Sequence, residues 1–436
     1  MSKKFIFFTL PSVVGGILSF ALIPLYTKYL DPIHYGYFAS FILAIGLLNS
    51  FADFGSGWVI SSSYHDPKEK YFGQKLFIVT VLNLLLKFFL FFVIYLLITY
   101  KFKILIIQLD LLLSLKIILI GFIFSILTTV SNSYIIISAR YKYFAIQNLS
   151  SLFISQIVSI FCLFNTELRT EVLCLQYSTQ MFVLFIFNLF LIMPNINFCL
   201  DKAIWYSVLK EGYPMLIKNP FSYISNSSDK FMVQNFATVT FFGLYSHGYK
   251  YKNYMDMIFT AFGRTFVPHV IKLYQENKLE KHNKKKWIFW LYLNFFVSIF
   301  VISLSGNLID ILTHSKFTNC YPFVCILFLQ TYAYSLHYIY HPILIANKKT
   351  FQITLFTILS TIILILSSLI LYYLYGVSAI PYGLIIGSVS SVLMTTYYVF
   401  LKSYMKLIFL KTHIVLFVIL LSVYIVRLQF NYVISF

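Results

Sequence analysis

Long apolar stretches alternate with short polar ones along the whole chain. Hydropathy predicts spans at 6–29, 37–60, 76–99, 106–138, 144–164, 171–193, 212–236, 239–263, 287–308, 321–346, 351–375 and 379–401. Each reaches the roughly 20 residues an α-helix needs to cross a bilayer, and none shows the apolar/polar alternation of a barrel strand. A further run at 408–427 is long enough to cross once more, and too few residues follow it for another span. The pattern therefore predicts an all-α integral membrane protein with about twelve, or thirteen, transmembrane helices. Lys3 and Lys4 precede the first run, no A-x-A-like cleavage site follows it, and Pro11, Gly15, Gly16 and Pro24 interrupt it, so it is expected to be a retained helix.

Composition agrees, because 60% hydrophobic and 11% charged residues leave no soluble surface for a chain of 436 residues. The net charge of +19 would suit nucleic acid or anionic lipid, but its distribution points to topology. If Lys3 and Lys4 are cytoplasmic, the loops on their side carry twenty-one basic residues and the opposite loops five, namely Lys101, Lys103, Arg169, Lys316 and Arg427. That asymmetry predicts a protein of the inner-membrane type with a cytoplasmic N-terminus, and it makes the basic run at 278–286 a cytoplasmic linker with no nucleic-acid role. Five cysteines scattered in apolar runs lack metal-ligand spacing and imply no redox chemistry.

Seven basic residues remain inside or at the rims of spans: Lys28, Lys87, Lys116, Lys218, Lys230, Lys250 and Lys252. Asp53, Asp229 and Asp256 share that zone. A charge at membrane depth costs several kcal/mol unless it meets water or a partner, so these residues are the functional candidates, with snorkelling to the headgroups as the competing explanation near span ends. Lys218, Ser222, Ser225, Asn226 and Asp229 recur at intervals of three or four and predict one polar helical face. Asn49, Asp53 and Ser56, and Thr80, Asn83 and Lys87, make similar stripes, expected to line a wet cavity in preference to an interhelical seam. Lys250 and Lys252 lie about 200° apart around a helix, so they cannot face one cavity squarely. Lys252 can pair with Asp256 at i, i+4, which leaves Lys250, beside His247 and Tyr254, as the unneutralised cation an anionic cargo would require. His337 and His341 have the spacing of a two-histidine metal face but no further ligand, so no metal is expected. No nucleotide loop, G-x-S-x-G or paired catalytic carboxylates occur, and neither enzymatic chemistry nor a cofactor is implied.

The twelve spans divide into lobes at 1–193 and 212–402, joined by a cytoplasmic loop at 194–211 and followed by a basic segment and extra helix at 403–436. A six-plus-six repeat has a short echo. The first span runs from Pro11 through Lys28 into HYGYFAS, the seventh from Pro214 through Lys230 into FFGLYSH.

GGILSFALIPLYTKYLDPIHYGYFAS at 15–40, FADFGSGW at 51–58 and SDKFMVQNFATVTFFGLYSHGYKY within 213–268 resemble, in order and spacing, segments of the Wzx-type polysaccharide flippases. ILIANKKT and YGVSAIPYG extend the likeness to the late elements. The resemblance implies a MATE-like fold of two six-helix lobes around a central cavity. It also implies alternating access and an undecaprenyl-pyrophosphate-linked oligosaccharide as cargo. By that likeness Lys28 is the basic position ending helix one, and Asp229 and Lys230 are the D-K pair of helix seven. The expected substrate-binding set is Lys28, Lys87, Lys230, Lys250 and Lys252, with Asp53 and Asp229 as ion-coupling candidates. Membrane lipids and a polysaccharide polymerase are the expected partners of a monomer. Ile380 and Pro381 replace a small-residue pair of the family, which predicts looser packing at helix twelve. A MATE-like drug or cation antiporter is the alternative and would want an acidic, aromatic cavity. A polymerase or ligase would want a sizeable outer loop, and none exceeds roughly fifteen residues.

Overall fold

A computed structural model describes residues 3–64, 71–102, 109–138, 140–254, 256, 279–337, 340, 343–344, 350–401 and 408–434. Among them every regular element is helical. The helices are α1 (Lys3–Ala21), α2 (Ile23–Tyr29), α3 (Pro32–Phe51), α4 (Ser56–Tyr64), α5 (Phe72–Phe102), α6 (Leu109–Phe124), α7 (Thr128–Ile137), α8 (Tyr141–Asn165), α9 (Thr170–Ile192) and α10 (Lys202–Phe236). They continue with α11 (239–254), α12 (Leu279–Thr313), α13 (Tyr321–Tyr334), and the helices Thr350–Tyr375, Tyr382–Leu401 and Ile408–Ile434. Among the described residues eight helices are long and apolar enough to cross a membrane, and the interrupted pair Leu10–Ala21 and Ile23–Tyr29 makes a ninth. The long α10 is less apolar because it carries Lys218, Asp229 and Lys230. The protein is an all-α, multi-pass membrane protein, and about twelve spans agree with these elements.

Packing divides the chain into two compact units, Met1–Phe20 with Tyr37–Asn226, and Ala21–Gly36 with Ser227–Phe436. The division therefore does not follow the loop at 194–211: residues 21–36 pack with the second unit and residues 212–226 with the first. Glycine contacts supply part of the physical reason, beside the bond from the Thr27 hydroxyl to the Leu312 carbonyl at 3.2 Å. In the second unit a Cβ at Gly243 would overlap the Pro32 carbonyl oxygen, and one at Gly36 would overlap that of Val239. The start of α3 is thus pressed backbone to backbone against the start of α11, and the two glycines of the HYGYFAS and FFGLYSH echo meet. In the first unit a Cβ at Gly212 would lie 2.7 Å from the Phe54 carbonyl oxygen, which ties the start of α10 to the α3–α4 break.

Lipid-facing helices gain little from apolar burial, so such close approaches at small residues, and interhelical hydrogen bonds, hold each unit together internally. In the first unit Gly121 of α6 abuts Ser178 of α9, whose hydroxyl donates to the Ile117 carbonyl at 2.6 Å. The second span is broken at 52–55, where Gly55 takes φ +65°, a conformation that excludes most side chains, and Asp53 caps the restarted helix by accepting from the Ser56 N–H at 3.0 Å. Pro24 sits in the first turn of α2 beside the interruption at Leu22, whereas Pro214 and Pro220 lie within the continuous α10.

In the second unit Gly383 and Gly387, one turn apart, admit the helix Thr350–Tyr375 so closely that their added Cβ atoms would overlap Ser368 and come within 2.7 Å of Leu364. The looser packing expected from Ile380 and Pro381 is overturned: Ile380 is fully buried, its carbonyl accepts from Ser368 at 3.1 Å, and the small residues that matter lie one turn later. The helix Ile408–Ile434 docks on the same unit. His413 stacks on Tyr332 at 4.8 Å, and Tyr424 shares a 2.7 Å hydroxyl contact with Tyr382.

Candidate functional site

The second unit gathers most of the charged candidates around α11, whose two sides carry different clusters. On one side Tyr245 and Tyr249, at i, i+4, both donate hydroxyl hydrogen bonds to Oδ2 of Asp229, from Tyr245 at 2.6 Å. Asp229 is 1% exposed, and its Oδ1 has no hydrogen-bond partner among the described residues. The Tyr249 ring also receives two cations, Lys230 Nζ at 4.1 Å and Lys252 Nζ at 5.1 Å from its centroid. Lys252 further pairs with Asp256 at 3.8 Å, the i, i+4 partner its spacing predicted.

On the other side Lys250 sits over the Tyr35 ring, 3.9 Å from its centroid. Among the described residues no carboxylate pairs with it. Tyr35 is held edge-on against His247 and Phe317, each at 5.2 Å, and His247 is completely buried between these rings. Lys250 and Lys252 thus have separate partners, as their offset around the helix requires. An ammonium that leaves water needs compensation, and the electron-rich face of a tyrosine supplies it without adding a negative charge. Lys230, Lys250 and Lys252 each lie over a tyrosine ring, and Lys252 has a carboxylate partner besides. Lys28 differs: it is exposed at the end of α2, its Nζ lies 5.7 Å from the Tyr29 ring, and its carbonyl accepts from Lys316, which also pairs with Asp31 at 2.9 Å.

The first unit holds Lys87 and Asp53 in a closed polar seam. Lys87 is 2% exposed and donates to the Ser125 hydroxyl at 2.7 Å, and that hydroxyl lies 3.0 Å from Asn49 Oδ1, to which it can donate. One turn earlier on α5, Asn83 donates to Ser56 at 3.0 Å and accepts from the Phe54 N–H at 2.8 Å. Ser56 donates to Asp53 Oδ1, and Asn219 of α10 donates to Asp53 Oδ2 at 3.1 Å. The stripes Asn49, Asp53, Ser56 and Thr80, Asn83, Lys87 are expected to line a cavity; here all but Thr80, which donates to the Leu76 carbonyl of its own helix at 2.7 Å, satisfy one another across helices, because α3, α4, α5 and α7's preceding turn bring matching donors and acceptors together. Of the polar face expected on α10, Lys218, Ser222 and Asn226 are exposed, Ser225 is half-buried and Asp229 is buried, so the face does not stay open along its length.

His337 stacks on Tyr334 at 4.5 Å, while His341 lies outside the described residues. Among the described residues no group of three or more His, Cys, Asp or Glu could hold a metal ion. Sequence reasoning missed the tyrosines. Tyr245 and Tyr249 carried a signal in their i, i+4 spacing, whereas Tyr35 lies more than two hundred residues from Lys250 and is brought there by tertiary packing.

A family model described as "Polysaccharide biosynthesis protein" matches residues 1–274. No curated protein sequence matches the chain. Among solved structures, the fold is similar to that of the lipid II flippase MurJ in an inward closed conformation, with TM-score 0.67 and 17% identity, covering 98% of this chain and 99% of that one. It is similar also to a mutant of the Vibrio cholerae MATE transporter VcmN, with TM-score 0.63 and 12% identity over 92% of this chain and 98% of that one. A MOP superfamily transporter from Pyrococcus furiosus, described as having a binding pocket of reversed polarity, gives TM-score 0.62 at 13% identity, over 92% of this chain and 95% of that one.

Proposed function

The chain belongs to the polysaccharide biosynthesis protein family, and from that membership we propose that it is a flippase for lipid-linked oligosaccharide. Its cargo is a repeat unit on undecaprenyl pyrophosphate, carried from the cytoplasmic to the outer leaflet of a bacterial inner membrane by alternating access. The observation that carries the proposal is the set of membrane-depth lysines compensated mainly by aromatic faces: Lys230 and Lys252 on Tyr249, and Lys250 on Tyr35. A pyrophosphate is the polyanion such cations can follow, and lysine meets it as a point charge. Lys28 extends the set toward the end of the first span, and Lys87 contributes positive potential from within the seam. With the N-terminus cytoplasmic, an inside-negative potential favours outward movement of an anion by about 2.3 kcal/mol per charge per 100 mV.

Asp53 and Asp229 are the candidates for coupling to an ion gradient. The antiporter alternative needs acids free to receive a cationic drug. Each acid here already has partners: Asp53 accepts from Ser56 and Asn219, Asp229 from two phenols, and Asp256 faces Lys252. The protein acts as a monomer that delivers repeat units to a polymerase.

The test is export in cells and flipping in proteoliposomes after replacing Lys230 and Lys250 together by Ala. The double variant, purified in normal yield, is expected to lose surface polysaccharide and to leave a polyprenyl-pyrophosphate-linked sugar in the leaflet where it was placed. Wild-type export by that variant would remove these residues from the transport path.

A further inference from the structure

We propose that Tyr35 is a positioning residue that keeps Lys250 charged, in place and available to an anion; the inference rests on the flippase reading above. The ring is itself immobilised. Tyr35 is 2% exposed, its edge contacts to His247 and Phe317 are nearly perpendicular at 82° and 88°, and the Gly36–Gly243 backbone contact lies one residue along the chain. Its face lies 3.9 Å from the Lys250 ammonium.

The choice of partner decides what Lys250 can do. Lys252 shows the alternative on the same helix, since Asp256 neutralises it at 3.8 Å. A carboxylate beside Lys250 would cancel the charge an anionic headgroup must find, and an aliphatic neighbour would leave the ammonium uncompensated for lost water. A π-face stabilises the cation and adds no net charge, so an arriving phosphate meets an ammonium already in position that no carboxylate among the described residues offsets. Helix α11 thereby holds two lysines two residues apart, one with a carboxylate partner and one with none among the described residues, and the ring that faces the second stands on α3.

Binding of a polyprenyl pyrophosphate to the purified full-length protein, with the neutral polyprenol as control, tests this. Tyr35→Phe keeps the π-face and is expected to bind as wild type. Tyr35→Leu and Tyr35→Met, which fill the space without one, are expected to weaken binding about ten-fold, and Lys250→Met to weaken it at least as much. In the Lys250→Met background, Tyr35→Leu should cost nothing further. Wild-type affinity in both Tyr35→Leu and Tyr35→Met would overturn the proposal, and so would an equal loss from Tyr35→Leu with and without Lys250. Binding equal to the polyprenol control by the wild-type protein would instead remove the flippase reading itself.

Discussion

Gly243→Ala is the most direct perturbation of the arrangement that seats Tyr35 beside Lys250. A methyl group there would overlap the Pro32 carbonyl oxygen and lie 2.8 Å from its carbon and 2.9 Å from the Gly36 nitrogen. Non-bonded carbons settle at about 3.5–4.0 Å, so the starts of α3 and α11 must part by roughly 1 Å. All three atoms are backbone and cannot rotate away. Forcing a methyl into such a contact costs about 1–3 kcal/mol or more, offset by at most about 1 kcal/mol of improved helix propensity. Gly248→Ala is the internal control on the same helix, because its nearest neighbours, Phe323 Cβ and Val324 Cγ2, stand at 3.4 and 3.5 Å. Thermal unfolding in detergent, read by fluorescence-detected gel filtration, should therefore show Gly243→Ala melting several degrees lower and Gly248→Ala at or slightly above wild type. Equal melting temperatures for the two variants would refute the backbone contact.

Two further outcomes follow from other parts of the molecule. Ser125→Ala leaves the buried Lys87 ammonium without its hydrogen-bond acceptor and is expected to destabilise the protein by about 1–3 kcal/mol, whereas the Lys87→Met, Ser125→Ala double variant should regain most of that loss in the same melting assay. Persistence of the full loss in the double variant would show that Ser125 acts through another partner. The last helix should cross the membrane: His413 lies beside Tyr332, near the end of α13, and Tyr424 beside Tyr382, at the start of a helix, with about 16 Å of helix between them. Reporters fused to the two termini should therefore register opposite sides, with a C-terminal alkaline phosphatase active outside; an inactive phosphatase together with a fluorescent cytoplasmic reporter at that end would place 408–434 along one face.

Much of the architecture was legible in the residue pattern because lipid permits few solutions. Backbone groups must be satisfied within each segment, so long apolar runs can only be helices, and the charges left inside them stand out against that background. The pairing of Lys252 with Asp256 and the divergence of Lys250 from Lys252 followed from helical spacing, a local property, whereas the polar face through Lys218, Ser222 and Asn226 ends in a buried Asp229. What the pattern could not determine depends on which helices meet. The Asp53 and Lys87 stripes became a closed seam because neighbouring helices present complementary hydroxyls and amides, a fact invisible along any single span. The partition of residues 21–36 and the seat of Lys250 on Tyr35 draw on contacts between distant parts of the chain, among them that of Gly36 with Gly243. Periodicity reveals which side of a helix a residue occupies, but only tertiary packing, decided here by where the absence of a side chain lets two backbones meet, selects what it faces.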